Sequence, residues 1–210
     1  MRPARLIARS AAIVLAVGLA ACASAPTHFY TLQAGAAARA DAAAAPGFLI
    51  DVLPVAVPAQ VDQPEMLIRE SEQRVAVLDD ERWVAPLSAE LRDAVAADLA
   101  AVLGTRDVHG LAQPPQAAVY RIQVDVRRFD SWPGRHALIE ADWSIRGSAD
   151  RVFATCTSRA SENVGPGYDA LVQGHQHALA RIADDVAATL RGVATGAAPP
   201  CPQSAANATP

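Results

Sequence analysis

The sequence predicts an α+β fold: a two-layer domain in which one mostly antiparallel sheet is covered on one face by two long amphipathic helices. Three observations carry this. Residues 120–161 hold three consecutive stretches that alternate apolar and polar side chains, as half-buried strands do. Residues 87–103 and 168–190 instead repeat their apolar side chains at helical spacing. The strands gather before and after one helix rather than alternating with helices, so the simplest burial lays both helices on one sheet.

In chain order, His28-Phe29-Tyr30-Thr31-Leu32 is aromatic and β-branched and reads as a short strand. Ala34 to Pro46 is low-complexity and reads as a mobile Ala-rich loop. Phe48 to Val57 reads as a strand, with Pro54 marking an edge or a bulge. Met66 to Arg69 and Arg74 to Leu78 flank Glu70-Ser71-Glu72-Gln73 as a hairpin. The acidic run Asp79-Asp80-Glu81 is expected just before a helix start, where negative charge is favourable.

Pro86 opens that helix, where its missing N–H costs nothing, and Gly104 ends it. Leu87, Leu91, Val95, Leu99, Val102 and Leu103 share its buried face, and Glu90, Arg92, Asp93 and Asp98 are expected to face mostly away. Next, Tyr120, Ile122, Val124 and Val126 point one way along a strand, and the paired Arg127 and Arg128 break the alternation as a bulge does. Trp132-Pro133-Gly134 turns the chain into Ala137 to Arg146, and a second turn leads into Arg151 to Ser161. Tyr168, Leu171, Val172, His175, Leu179, Ile182, Val186 and Leu190 mark the last helix, closed by Gly192. The tail, residues 194–210, is rich in Pro and Ala and reads as disordered.

The N-terminus carries the clearest chemistry. Arg2, Arg5 and Arg9 form a basic head, Ala11 to Ala20 is an unbroken apolar run, and Leu19-Ala20-Ala21-Cys22 follows. That order is the signature of a secretory signal. The run is too short for a spanning helix, which needs ~20 apolar residues. The Leu-Ala-Ala-Cys ending resembles the bacterial lipobox, which implies a lipoprotein signal peptide at residues 1–21 and lipid attachment, diacylglyceryl and palmitate-type chains, at Cys22. Each buried acyl CH₂ contributes ~0.8 kcal/mol, and stable anchoring takes at least two chains. Ala23 follows instead of Asp, which by the sorting pattern of enteric-type bacteria implies the outer membrane, facing the periplasm. Residues 22–27 are then a lipidated tether, which at ~3.3–3.6 Å per residue reaches less than roughly 20 Å, so the domain (residues 28–193) sits close to its membrane.

Removing 21 residues from 210 leaves 189, which suits one domain. Every one of the 18 basic residues is Arg, and losing Arg2, Arg5 and Arg9 leaves 15 against 22 acids, a net charge near −7. That balance argues against nucleic acid or an anionic membrane surface as a partner, since both want clustered positive charge. Cys156 and Cys201 remain, and an oxidising periplasm makes a disulfide their natural reading; the alternative is a buried Cys156 and a loose Cys201. No GxSxG, Walker or dinucleotide pattern occurs. His175 and His177 lie two apart on a helix, about 200° around it, so they do not share a metal. Glu140 and Asp142 alternate on the polar side of a strand, as solvated carboxylates commonly do. The expectation is no enzyme, no metal and no cofactor.

Four segments carry a family resemblance: His28 to Leu32 just after the cysteine; Val57 to Arg69, with Pro58-x-x-x-Asp62-x-Pro64 leading into a strand; Arg82-Trp83-Val84-Ala85-Pro86-Leu87 before the first long helix; and the late helix with Tyr168, Leu171, Val172 and Ala178-Leu179-Ala180. In order and spacing they resemble the PqiC family, the ABC-type transport auxiliary lipoproteins. The resemblance implies an accessory lipoprotein that docks an inner-membrane MCE-domain protein, either PqiB-like or associated with an ABC transporter, in a system moving lipid or other apolar molecules between membranes. It also implies possible self-association as a ring. An adaptor of another envelope machine, such as a secretion pilotin or a cell-wall synthase activator, is the alternative. Within the motifs, Asp62 is expected to bond backbone amides of its turn, and Trp83 to brace helix against sheet.

Overall fold

The computed structural model describes residues 26–33, 46–113, 116–147, 151–197 and 201–202. The expected signal peptide (1–21), Cys22, the Ala-rich stretch 34–45 and most of the tail lie outside these residues. The strands are β1 (His28–Tyr30), β2 (Phe48–Val52), β3 (Glu65–Arg69), β4 (Val75–Trp83), β5 (Ala118–Trp132), β6 (His136–Arg146) and β7 (Val152–Asn163); the helices are α1 (Leu87–Leu103), between β4 and β5, and α2 (Tyr168–Ala194), after β7.

The α+β class stands, but the single sheet divides into two. One has the order β1-β4-β3 and the other β2-β5-β6-β7. Both are mixed: β1 runs parallel to β4 and β2 parallel to β5, while the remaining pairs are antiparallel. The physical reason lies in the link between β2 and β3. Pro54 marks a break in the run, after which Ala56 and not Val55 donates to Val124 O, and Pro58, two residues on, has no N–H to donate, so the ladder along the edge of β5 stops there. The chain keeps touch with β5 through Leu53 N–H to Ile122 O (3.0 Å), Ala56 N–H to Val124 O (3.3 Å) and Val126 N–H to Ala56 O (2.8 Å), and then leaves to form the β3–β4 hairpin. The outer edge of β2 is itself covered, by bonds between Ile50 and residues Arg106 and Val108.

The expected bulge falls between Val126 and Arg128. The inward face of the larger sheet is the one read from the alternation: Ile122, Val124, Val126, Ala137, Ile139, Ala141, Trp143 and Ile145 are all buried. α2 packs on β6 and β7, and α1 packs on α2 and against β2. The close fit of α2 depends on Gly174, where a Cβ would lie 2.3 Å from Val164 Cγ1 and 3.0 Å from Ala137 Cβ. α1 ends as expected, with Gly104 left-handed (φ 66) and its N–H bonded to Ala100 O. α2 runs through Gly192 to Ala194, two residues beyond the expected stop.

Three local expectations are corrected. Asp79-Asp80-Glu81 lies inside β4, because the parallel partner β1 draws Glu81, Arg82 and Trp83 into a ladder before the helix can start. Asp62 is exposed, and its turn is closed instead by Val61 N–H to Pro58 O (3.0 Å). Glu90 does not face away: it is 3% exposed, for a reason given below.

Cys156 and Cys201 are joined, with 5.5 Å between their Cα atoms. Cys156 lies on the inward side of β7, and Cys201 lies seven residues past the end of α2. The bond therefore fastens the chain beyond α2 to the edge strand that α2 covers. Closing a 45-residue separation restricts the unfolded chain, and reduction or Cys201→Ser is expected to cost roughly 2–4 kcal/mol. Denaturant unfolding with and without a thiol reductant checks this.

Candidate functional site

Two places gather polar side chains into a buried arrangement. The first surrounds the N-terminal strand. Beyond β1, Thr31 Oγ1 and the Leu32 N–H both donate to Glu90 Oε2, each at 2.8 Å. Glu90 comes from the first turn of α1. Gln176 Nε2 of α2 donates to the Thr31 carbonyl at 3.1 Å, and Leu32 is 1% exposed. The segment after β1 is thus held by both helices at once. An ionised carboxylate accepting two hydrogen bonds offsets its own desolvation, which explains a buried Glu90. The sequence does carry a signal for it: Glu90 stands three residues after Leu87 and one before Leu91, on the apolar stripe.

On β1 itself, His28 Nδ1 lies 3.0 Å from Glu81 Oε1, and the Tyr30 hydroxyl lies beside the same carboxylate. Burial first, and then Glu81, push the Tyr30 hydroxyl up from its ordinary value. Burial alone would raise Glu81, but Tyr30 and His28 outweigh it and hold the carboxyl below the usual range. On the other side of β1, Phe29 is 63% exposed. β1 is therefore pinned on its inner side and bare on its outer one.

The second arrangement lies at the end of β5. His175 is fully buried, stacked on Phe129 with ring centres 4.0 Å apart, and its Nε2 is 2.8 Å from Ser131 Oγ. A serine beside a histidine invites a catalytic reading. Ser131 is only 2% exposed, however, and His175 Nδ1 is buried without a hydrogen-bond partner, so no carboxylate orients the ring. Asp130 is instead held by Arg69 Nε at 2.8 Å and by Arg128 Nε at 2.5 Å. The Ser131–His175 pair joins β5 to α2, and Asp130 joins the β3–β4 hairpin to β5. His177 is exposed, as expected from its spacing. Asp142 accepts from Thr157 Oγ1 at 2.6 Å and lies 3.5 Å from Arg127, while Glu140 stands opposite Arg128 and Arg159 across the sheet. Among the described residues, no three His, Cys, Asp or Glu side chains come together as a metal site.

Burial pushes His175 down to about 3. Asp130 opposes that shift and His136 adds to it. Below the ordinary histidine value of ~6.5 the unfolded chain binds a proton that the folded chain refuses, so stability falls as pH drops from about 6.5 towards 3. Between pH 7 and pH 4.5 the loss from this one group is expected to be about 2–3 kcal/mol. His175→Gln should flatten that slope in melting curves, whatever it does to stability at pH 7.

A shallow recess between the two sheets is lined by Val61, Leu67, Trp83, Leu87 and Phe129. Among the described residues, no helix is long and apolar enough to cross a membrane.

The geometry defines an α+β module in which the segment leaving the N-terminal strand is held by both helices. The chain belongs to the family of ABC-type transport auxiliary lipoprotein components, whose family model matches residues 30–187. Two solved structures share the fold. One, of an uncharacterised protein, is 17% identical, covers 79% of this chain and 99% of its own, and superposes with a TM-score of 0.63. The other, a Xanthomonas campestris protein of the DUF330 family, is 22% identical, covers 73% of this chain and 91% of its own, with a TM-score of 0.58. A comparison with curated proteins finds no match.

The sequence motifs map onto this frame unevenly. His28 to Leu32 supplies the N-terminal strand and its fastening, and Arg82 to Leu87 supplies the end of β4 and the start of α1. Cys22, the expected lipid attachment residue, lies six residues before His28 and outside the described residues. Sequence reasoning does not reach the roles of Glu90, Gln176 and Ser131, because the partners that define them come from distant parts of the chain.

Proposed function

We propose that this chain is an outer-membrane lipoprotein, exported by residues 1–21, lipidated at Cys22 and facing the periplasm. It serves as a non-enzymatic accessory component of an MCE-type system that moves lipid or other apolar molecules between membranes. Its task is to dock the inner-membrane-anchored MCE-domain partner. The observation that carries the reading is the family match over residues 30–187 behind a lipobox that ends at Cys22. The short tether and the double grip on the segment after β1 support it, since a docking platform must transmit position from its anchor.

The test is affinity capture from chemically crosslinked envelopes, with lipidation of Cys22 verified by mass spectrometry. Recovery of an MCE-domain protein is the expected result. Capture of a secretion or cell-wall synthesis component instead, or of no MCE protein by the correctly lipidated chain, overturns the proposal.

A further inference from the structure

The outer side of β1 and the residue just past the end of β4 carry two bare apolar side chains that packing does not explain. Phe29 is 63% exposed and Val84 is 59% exposed. They are neighbours: Phe29 stands opposite Arg82 in the parallel ladder, and the Val84 N–H donates to the Tyr30 carbonyl at 2.9 Å. Tyr30 and Trp83 alternate with them and turn inward, Trp83 being 3% exposed. Arg82 lies between the two and pairs with Glu65, so the patch carries apolar surface and little net charge.

From the geometry we infer that Phe29 and Val84 are a second membrane contact, seated in the headgroup region of the bilayer that holds Cys22. The inference rests on the lipid anchor proposed above. Phe29 is seven residues from Cys22, at most roughly 25 Å of extended chain and about 15 Å for a relaxed one. The headgroup layer is itself ~5–8 Å deep on each side. A tether this short keeps the patch at high effective concentration beside the lipid. Apolar and aromatic side chains gain by seating at the headgroup boundary. Attraction by charge is not the cause, because the mature chain keeps 15 Arg against 22 acids. Since Thr31 and Leu32 are bonded to Glu90 and Thr31 to Gln176, seating β1 orients the whole domain. The N-terminal end of α1 then faces the membrane. Leu111, 65% exposed, is the counterpart: it follows the other end of α1, a helix of 17 residues and so about 25 Å long.

The experiment places a polarity-sensitive fluorophore at Val84→Cys or at Leu111→Cys in the full lipidated protein, reconstituted in phosphatidylethanolamine–phosphatidylglycerol vesicles. Cys22 is acylated and Cys156 is bonded to Cys201, so the introduced thiol is the one free to react. Position 84 should show a blue-shifted emission and lose fluorescence to lipids with brominated chains, while position 111 should show neither. A label at position 84 that stays as wet as one at position 111, on protein whose acyl chains are verified by mass, overturns the inference alone. Protection of position 84 only after a protein partner is added also overturns it, in favour of a protein-docking patch. An N-terminal peptide without acyl chains overturns the anchor, and the inference falls with it.

Discussion

Cys22→Ser is expected to abolish lipid attachment and mislocalise the protein while leaving the folded domain unchanged. Attachment by one acyl chain is marginal and reversible, and stability comes from adding chains at ~0.8 kcal/mol per buried CH₂. Serine has no sulfur and so cannot form the thioether, and the chains are lost together, which makes the effect all-or-none. The domain should not notice. The family match begins at residue 30, and the fastening of the N-terminal segment uses Thr31 and Leu32 against Glu90, none of which involves Cys22. Mass spectrometry should find no acyl chains on the variant, and its melting curve should overlay that of the anchored protein's domain. On the proposed function, activity should fall to the level of a deletion, because an unanchored adaptor no longer sits at its membrane. Full function from the unlipidated variant would overturn the tethered-adaptor reading.

Trp83→Ala is expected to cost about 3–5 kcal/mol, the usual range for emptying a buried tryptophan site. Trp83 is 3% exposed and stands where three units meet. It ends β4 in the smaller sheet, its ring meets Phe129 of the larger sheet edge-on with centres 6.2 Å apart, and it shares the recess with Leu87 of α1. Its backbone N–H donates to Pro64 O at 2.7 Å, so the return of the β2–β3 link is set there as well. Removing the ring enlarges a recess that already exists, and the two sheets lose their aromatic contact while the Arg69–Asp130 pair remains. For a domain of this size each kcal/mol is worth ~2–4 °C, so the melting temperature should fall by roughly 10 °C. Trp83→Phe, which keeps an aromatic face, should lose much less. Equal losses from both variants would show that the indole is not what joins the sheets.

Several of these features are legible in the sequence itself. Trp83 stands out as a large apolar side chain at a helix entrance, and it braces helix and sheets together. The three alternating strands, the bulge at Arg127 and Arg128, and the left-handed Gly104 also follow from local pattern. Local pattern is read well where each side chain's environment is decided by its own strand or helix. Glu90 shows the limit. A charged residue on an exposed-looking helix turn is expected to face solvent. Its burial depends on Thr31 and Leu32, 59 and 58 residues away, whose donors offset the cost of burying it. Asp79-Asp80-Glu81 departs from its local reading for the same reason: a parallel strand from far upstream claims residues that local composition assigns to a helix approach.

By itself, the sequence determined the α+β class, the two amphipathic helices, the faces that strands β5 and β6 bury, and the family, because these rest on periodicity, turn chemistry and ordered short motifs. Tertiary structure alone decided that the strands form two sheets, that β1 and β2 pair in parallel with distant strands, and that the segment leaving β1 is gripped by both helices. Those outcomes depend on which backbone groups are free to pair once Pro54 and Pro58 have interrupted the ladder, and on long-range partners for buried polar groups. Neither quantity is written in the spacing of residues along a single strand or helix.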